Sequence, residues 1–378
     1  MATYYWVGGS GTWDNSSTAN WAASSGGAGG VGPPTITDFV IFDANSGTAA
    51  TVTVSSTAVA ARTTINKSDI NITLNGDATL STGVNGFILT TGTLTLNSYT
   101  LTCAYVDTTN SNTRAIDFGT GNITVTGNAV ACWSSQNSAN LTISGTPVVN
   151  ATYAGGTGIR YFYTAVTTEA TAISFNIKAG TDTIGTIGSY AKNVDFTGFS
   201  GTWNAAGNLT IVGNLIVSSG MTVGATTFSI SFSATSAKTI ATNGKTIDRP
   251  VTFNGVGGSW ALQDNLTVGA TRTTTLINGT IDLTGNSGNW VLSTGLFASS
   301  YSNIRSIVFG TVSITVTGTG TVWNTGTVTN FSYTGTPTVN VSNNSATATT
   351  VTTGTLSEAQ ALNFNYTVGT YTLTDTNA

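Results

Sequence analysis

From Thr51 onward the chain alternates apolar and polar positions in runs of four to six residues, each closed by Gly or Asn. TVTV at 51–54, INITL at 70–74, TLTL at 93–96, NITVTG at 122–127, NLTISG at 140–145 and SITVTG at 313–318 all read this way. Strict period-two alternation marks a half-buried β-strand, and a terminal Gly or Asn supplies the turn. No window of ten or more residues carries a convincing period of 3.6. LSEAQALNF at 356–364 comes nearest, but its earlier counterpart TEATAISFN is rich in β-branched residues and reads as extended. The pattern predicts an all-β chain with very little helix.

The strands are also copied. Arg114 opens RAIDFGTGNITVTG and Arg305, 191 residues later, opens RSIVFGTVSITVTG. The match continues through SGTPVVN at 144–150 against TGTPTVN at 334–340, and EATAISFNI at 169–177 against EAQALNFNY at 358–366. In all, about 114–190 match 305–378. A shorter pair, 192–248 and 249–304, begins KNVDFTGFSGTW and RPVTFNGVGGSW. Copied units without linkers predict a solenoid, in which each turn covers the apolar face of its neighbour. Ile116 with Phe118, Ile307 with Phe309, Val194 with Phe196 and Val251 with Phe253 are its inward residues. A cation recurs at the start of each unit: Arg62, Arg114, Lys192, Arg249 and Arg305. Those intervals, at about 18–25 residues per turn, predict roughly 14–18 turns. A string of β-sandwiches is the competing architecture, but 57 residues is short for one, since about 100 are usual. The expected fold is a right-handed parallel β-helix, or β-solenoid, over 51–378.

Residues 1–50 differ from the rest. YYWVGGSGTWDNSSTANWA places Trp6, Trp13 and Trp21 within sixteen residues, followed by the Gly-rich SSGGAGGVGPP and the alternating TDFVIFDANSG. The first turn of a solenoid exposes apolar interior and unpaired edges, so a Trp-rich N-terminal cap, doubling as an attachment segment, is expected here. The competing use of such residues is an aromatic platform for sugars.

Composition narrows the function. Only 7% of residues are charged, the net charge is −4, and there is no Lys/Arg cluster, which argues against nucleic-acid binding. No apolar run is long enough to span a membrane, and no secretory signal is visible at the N-terminus. With so little charge, a large assembly or a homo-oligomer, a trimer for instance, is expected.

Candidate chemistry is sparse. The chain has no histidine, which removes the commonest general base and most zinc sites. Asp38, Asp43, Asp107, Asp117, Glu169, Asp182, Asp195, Asp264 and Asp282 are scattered, although a glycosidase needs only two carboxylates that converge in space. There is no calcium-loop pattern, and the runs GGSG and GGAGG lack the context of a phosphate loop. Cys103 and Cys132, 29 residues apart, read as two buried thiols, with a disulfide between adjacent turns as the alternative. T-x-T rows bring ice-binding solenoids to mind, but the rows vary between units. The recurrent cations are expected to cap carbonyls at a corner or to pair with a carboxylate. No metal, cofactor or catalytic residue is expected.

Two stretches resemble known proteins. YYWVGGSGTWDNSSTANWA…TDFVIFDANSG resembles the W-x-G…G-x-W…N-W opening found before β-helices in bacterial surface proteins and phage virion proteins. TIATNGKTIDRPVTFNGVGGSWALQDNLTVG and NSNTRAIDFGTGNITVTG are similar to repeats in virion proteins of tailed phages, marine and cyanobacterial ones especially, described as tail-fibre or structural. The resemblance covers nearly the whole chain. It implies a non-enzymatic virion protein, assembled in the host cytoplasm and displayed on the particle as fibre, spike or capsid decoration. Its implied partners are capsid or tail proteins and a host cell-surface glycan, with no nucleic acid and no membrane insertion. It carries no site residues over. A polysaccharide depolymerase on the same scaffold and a bacterial adhesin passenger are the alternatives.

Overall fold

The computed structural model describes residues 1–81, 85–128, 131–164, 168–343, 349–355 and 361–368. It is an all-β parallel β-solenoid of about 13 turns. Among the described residues there is no α-helix; two single 3₁₀ turns, Glu169–Thr171 and Gly285–Ser287, are the helical exceptions. Of the helix-like stretch at 356–364, residues 356–360 lie outside the described residues, and Asn363–Val368 is a strand.

The chain divides into two compact units, Met1–Ala191 and Lys192–Ala378. The second begins at Lys192, where the shorter sequence repeat also begins.

In the first unit, Thr3–Trp6 pairs parallel with Phe39–Phe42, which in turn pairs parallel with Arg62–Leu74. The N-terminal segment is therefore hydrogen-bonded into the same ladder as the turns that follow. Thr51 lies opposite Asn71, Asn71 opposite Thr93, and Ala115 opposite Thr142. These steps of 20, 22 and 27 residues show why fewer turns form than expected. Turns such as the one from Ala115 to Thr142 exceed the assumed length of about 18–25 residues, and each lowers the number that fit. In the second unit the steps run from 20, Thr202 to Thr222, to 29, Gly320 to Thr349.

Alternation along each strand sets what fills the interior. Ile116, Phe118, Val194, Phe196, Val251, Phe253, Ile307 and Phe309 are all buried, as their spacing predicts. Buried rings of successive turns meet: Phe232 stacks on Phe253 with centroids 5.2 Å apart, and Phe297 on Trp323 at 4.6 Å. Since every rung uses its backbone N–H and C=O groups in the ladder, outward side chains are the main chemical variable along each unit.

Candidate functional site

The three N-terminal tryptophans form a closed cluster. Trp6 and Trp21 face each other across an antiparallel pair and meet edge to face at 4.9 Å. Trp13 meets Trp21 edge to face at 5.4 Å, and all three rings lie within about 6 Å of Phe42. Glycine makes the packing possible. Gly11 lets the Trp6 ring approach, and Gly9, at φ +62°, turns its carbonyl to accept a 2.7 Å bond from Trp6 Nε1. Each of the three rings is 0% exposed. Their faces are spent on one another and on Phe42, so this cluster offers no stacking platform for a sugar.

The recurrent cations divide by environment. Arg114 and Arg305 sit in equivalent cages. Arg114 donates from Nε to the Thr108 carbonyl and hydroxyl, and from Nη1 to the carbonyls of Asn112 and Ala139, with Nη2 on Asn137. Arg305 donates to the Ser299 carbonyl and hydroxyl, to Asn303 and Thr329 at 2.9 and 2.8 Å, and to Thr327. The five donors of a guanidinium in a fixed fork satisfy carbonyls that a corner leaves unpaired. Burial lowers the pKa of both arginines.

Arg249 and Arg62 lean on aromatic faces, a contact that Arg305 adds to its cage through Phe331 at 4.7 Å. Arg249 lies 4.3 Å from the Trp203 ring centroid and donates to the Gly224 carbonyl; Arg62 lies 4.1 Å from Phe39. Burial brings the Arg249 pKa down to about 10, against the opposing pull of Asp248. Lys192 is half-buried.

One buried ion pair escaped sequence reasoning. Arg160 Nε and Nη2 donate to the two carboxylate oxygens of Asp182 at 2.6 and 2.8 Å, with both side chains almost fully buried. A signal was present: Arg160 opens RYFYT with an inward Phe162 two positions on, as Arg114 does with Ile116. No repeat unit starts at 160, so the recurrence of cations does not mark it.

The carboxylates mostly serve turns. Asp195 accepts from the Thr197 amide and hydroxyl at 2.8 and 2.6 Å, and Asp282 does the same with Thr284. Asp107 and Asp43 accept from amides two residues on, Asp117 holds Ser144 across to the next turn, and Asp264 holds Thr242. Asp38 ties Ala2 and Thr35 to the first strand. Glu169 opens a 3₁₀ turn. Among the described residues no three His, Cys, Asp or Glu side chains gather as a metal site would require.

Cys103 and Cys132 are buried thiols, not joined in a disulfide. Burial pushes the Cys103 thiol pKa up strongly and that of Cys132 up to about 12, so neither is a reactive thiolate at neutral pH.

Two surface depressions lie in the second unit. One, of about 430 Å³, is lined by Arg272, Thr271, Thr273, Thr319 and Thr321 over a floor that includes Gly295 and Gly318. Arg272 is fixed there by a 2.8 Å bond to Asp248. The other, of about 380 Å³, lies over Ser313, Thr338, Asn340 and Asn365. Neither lining includes a carboxylate. Apart from Arg272 in the first, both are built from hydroxyl, amide and apolar groups, which suits hydrogen bonding rather than proton transfer.

No protein-family model, no curated protein and no solved structure matches this chain.

Proposed function

We propose that the chain is a non-enzymatic structural protein of a tailed-phage virion, displayed on the particle surface as fibre, spike or capsid decoration. Its work is host-surface attachment or stabilisation of the particle. Capsid or tail proteins, further copies of the chain and a host-surface glycan are its partners. The observation that carries this reading is how the charged groups are used. The buried arginines and the aspartates that bond nearby amides and hydroxyls serve corners and turns, leaving outward faces that are largely polar and uncharged. Such a body contributes geometry: rigid rungs hold many weak contacts at fixed spacing, and avidity does the rest. The resemblance of the Trp-rich opening and of the repeats to phage virion proteins supplies the setting.

The test is the protein content of gradient-purified particles from a lysate of the host that carries this gene. Mass spectrometry is expected to find the chain in the particle band, and antibody against it to label intact particles. A chain confined to the soluble fraction would refute the proposal.

A further inference from the structure

The sheet formed by Thr246–Ile247, Leu266–Val268, Leu292–Thr294, Ser313–Val316, Thr338–Ser342 and Asn363–Val368 turns one column of side chains outward. In register these are Thr246, Thr267, Ser293, Thr315, Asn340 and Asn365. A second outward column runs beside it through Ser313, Thr338 and Asn363. Neither column holds a charge. At about 4.8 Å per rung, the six rungs of the first extend over roughly 24 Å. The 380 Å³ groove lies on these columns, with Val291 and Val312 on its wall.

The amides are held in place before any ligand arrives. Asn340 Nδ2 donates to Ser313 Oγ at 2.7 Å, and Asn365 Nδ2 donates to Asn340 Oδ1 at 3.2 Å. A primary amide has two N–H groups, so each keeps one for an outside acceptor, and the hydroxyls of the columns can donate or accept. Fixing the side chains in advance reduces the entropy lost on binding.

The same face exists in the first unit. Thr79, Thr102, Thr124, Asn150 and Asn176 follow one another in register, with Asn150 bonded to Asn122 at 3.0 Å and Asn176 to Asn150 at 2.8 Å. Thr124, Asn150 and Asn176 are the repeat counterparts of Thr315, Asn340 and Asn365. Both copies of the repeat therefore present a polar, uncharged array.

We infer that this face binds an uncharged polysaccharide laid along the columns, and that the groove over Ser313, Thr338, Asn340 and Asn365 is its seat in the second unit. An ionic ligand would find no counter-charge there. An apolar partner would strand the hydroxyls and amides without hydrogen bonds. A peptide strand could not add to the face, whose backbone groups are already paired. An ordered water lattice would need uniform residues, and the column changes from Thr to Ser to Asn. A polymer of hydroxylated rings meets each requirement. It repeats as the rungs repeat, it carries donors and acceptors, and its C–H faces suit Val291 and Val312. This deepens the attachment reading and rests on it for its biological setting.

The test uses the purified full chain in affinity electrophoresis through gels containing dextran, galactomannan or laminarin, with alginate as the acidic comparison. Retardation by at least one neutral polymer and none by alginate is expected. Thr338→Arg, which fills the groove, and Thr311→Trp, at its exposed rim, are expected to weaken binding about tenfold or more, with the melting temperature of at least one unchanged. Thr142→Arg, on another exposed strand, is expected to bind as the parent does. No retardation by any neutral polymer, retardation by alginate alone, inhibition of ice recrystallisation without polymer binding, or undiminished binding by a folded groove variant would each overturn the inference. Because isolated protein is used, the outcome is independent of whether the chain is found on particles.

Discussion

At the scale of single residues, this protein spends its charges on corners. Arg114, Arg160, Arg249 and Arg305 are each at most 1% exposed, and between them they answer desolvation in three ways: carbonyl cages, a carboxylate and an aromatic face. Removing Arg305 would leave the carbonyls of Ser299, Asn303, Thr327 and Thr329 without that donor. Arg305→Ala should therefore cost on the order of 3 kcal/mol, read as a lower urea midpoint, and Arg305→Lys should not restore it because a point charge lacks the fork. The thiols give a second prediction. The Cys132 pKa is raised from 9.0 to about 12 by burial, so above pH 9 the unfolded chain releases a proton that the native chain keeps. Stability from this group is full below pH 9 and falls as pH rises toward 12. By pH 10 the loss is on the order of 1 kcal/mol. Urea midpoints at pH 7.5 and 10 should show it, and Cys132→Ala should remove that part of the fall. The position of the recurrent cations was legible in the sequence, but what each one touches was not. A carbonyl cage is assembled from corners about 25 residues apart, and no local pattern encodes it.

Among the elements, the short strands were the most legible. TVTV is the strand Thr51–Val54, and Ser313–Val316 begins the run SITVTG, because alternation and a terminal turn residue are local signals. The long strands Arg62–Leu74 and Val251–Leu262 were not visible as single elements, since polar and glycine residues interrupt their alternation. Those interruptions are where the chain rounds a corner without leaving the ladder. The tryptophans stood out in the sequence as an N-terminal group, while their edge-to-face packing depends on three strands meeting in space. Glycine shows how tightly turns are stacked. Gly335 has φ +88°, and a Cβ there would fall 2.5 Å from the backbone of Gly310, in the turn below. Gly145 stands over Gly119 in the same way in the other copy. Gly335→Ala should cost about 1–3 kcal/mol, and Gly145→Ala a similar amount, both measurable as shifts in the thermal midpoint. Equal losses would show that the two copies keep the same corner geometry, whereas a neutral Gly335→Ala would show that the turns are not in contact there.

For the whole molecule, internal copying is the organising fact. Offsets near 191 align the Arg114 and Arg305 cages, the Gly145 and Gly335 corners and the Asn150 and Asn340 columns. The fold class was therefore readable from repetition and alternation alone, and only the number of turns was overestimated. The outward columns were harder to see. Their members are unremarkable Thr, Ser and Asn residues, and only the register places them side by side. Function in such a body lies in what its faces repeat, and where those faces are displayed is the central claim. A cryo-EM map of purified particles tests it most directly. The account predicts parallel rungs about 4.8 Å apart on the outside of capsid or tail, into which both units of this chain can be traced. Particles whose density is fully explained without this chain would contradict it.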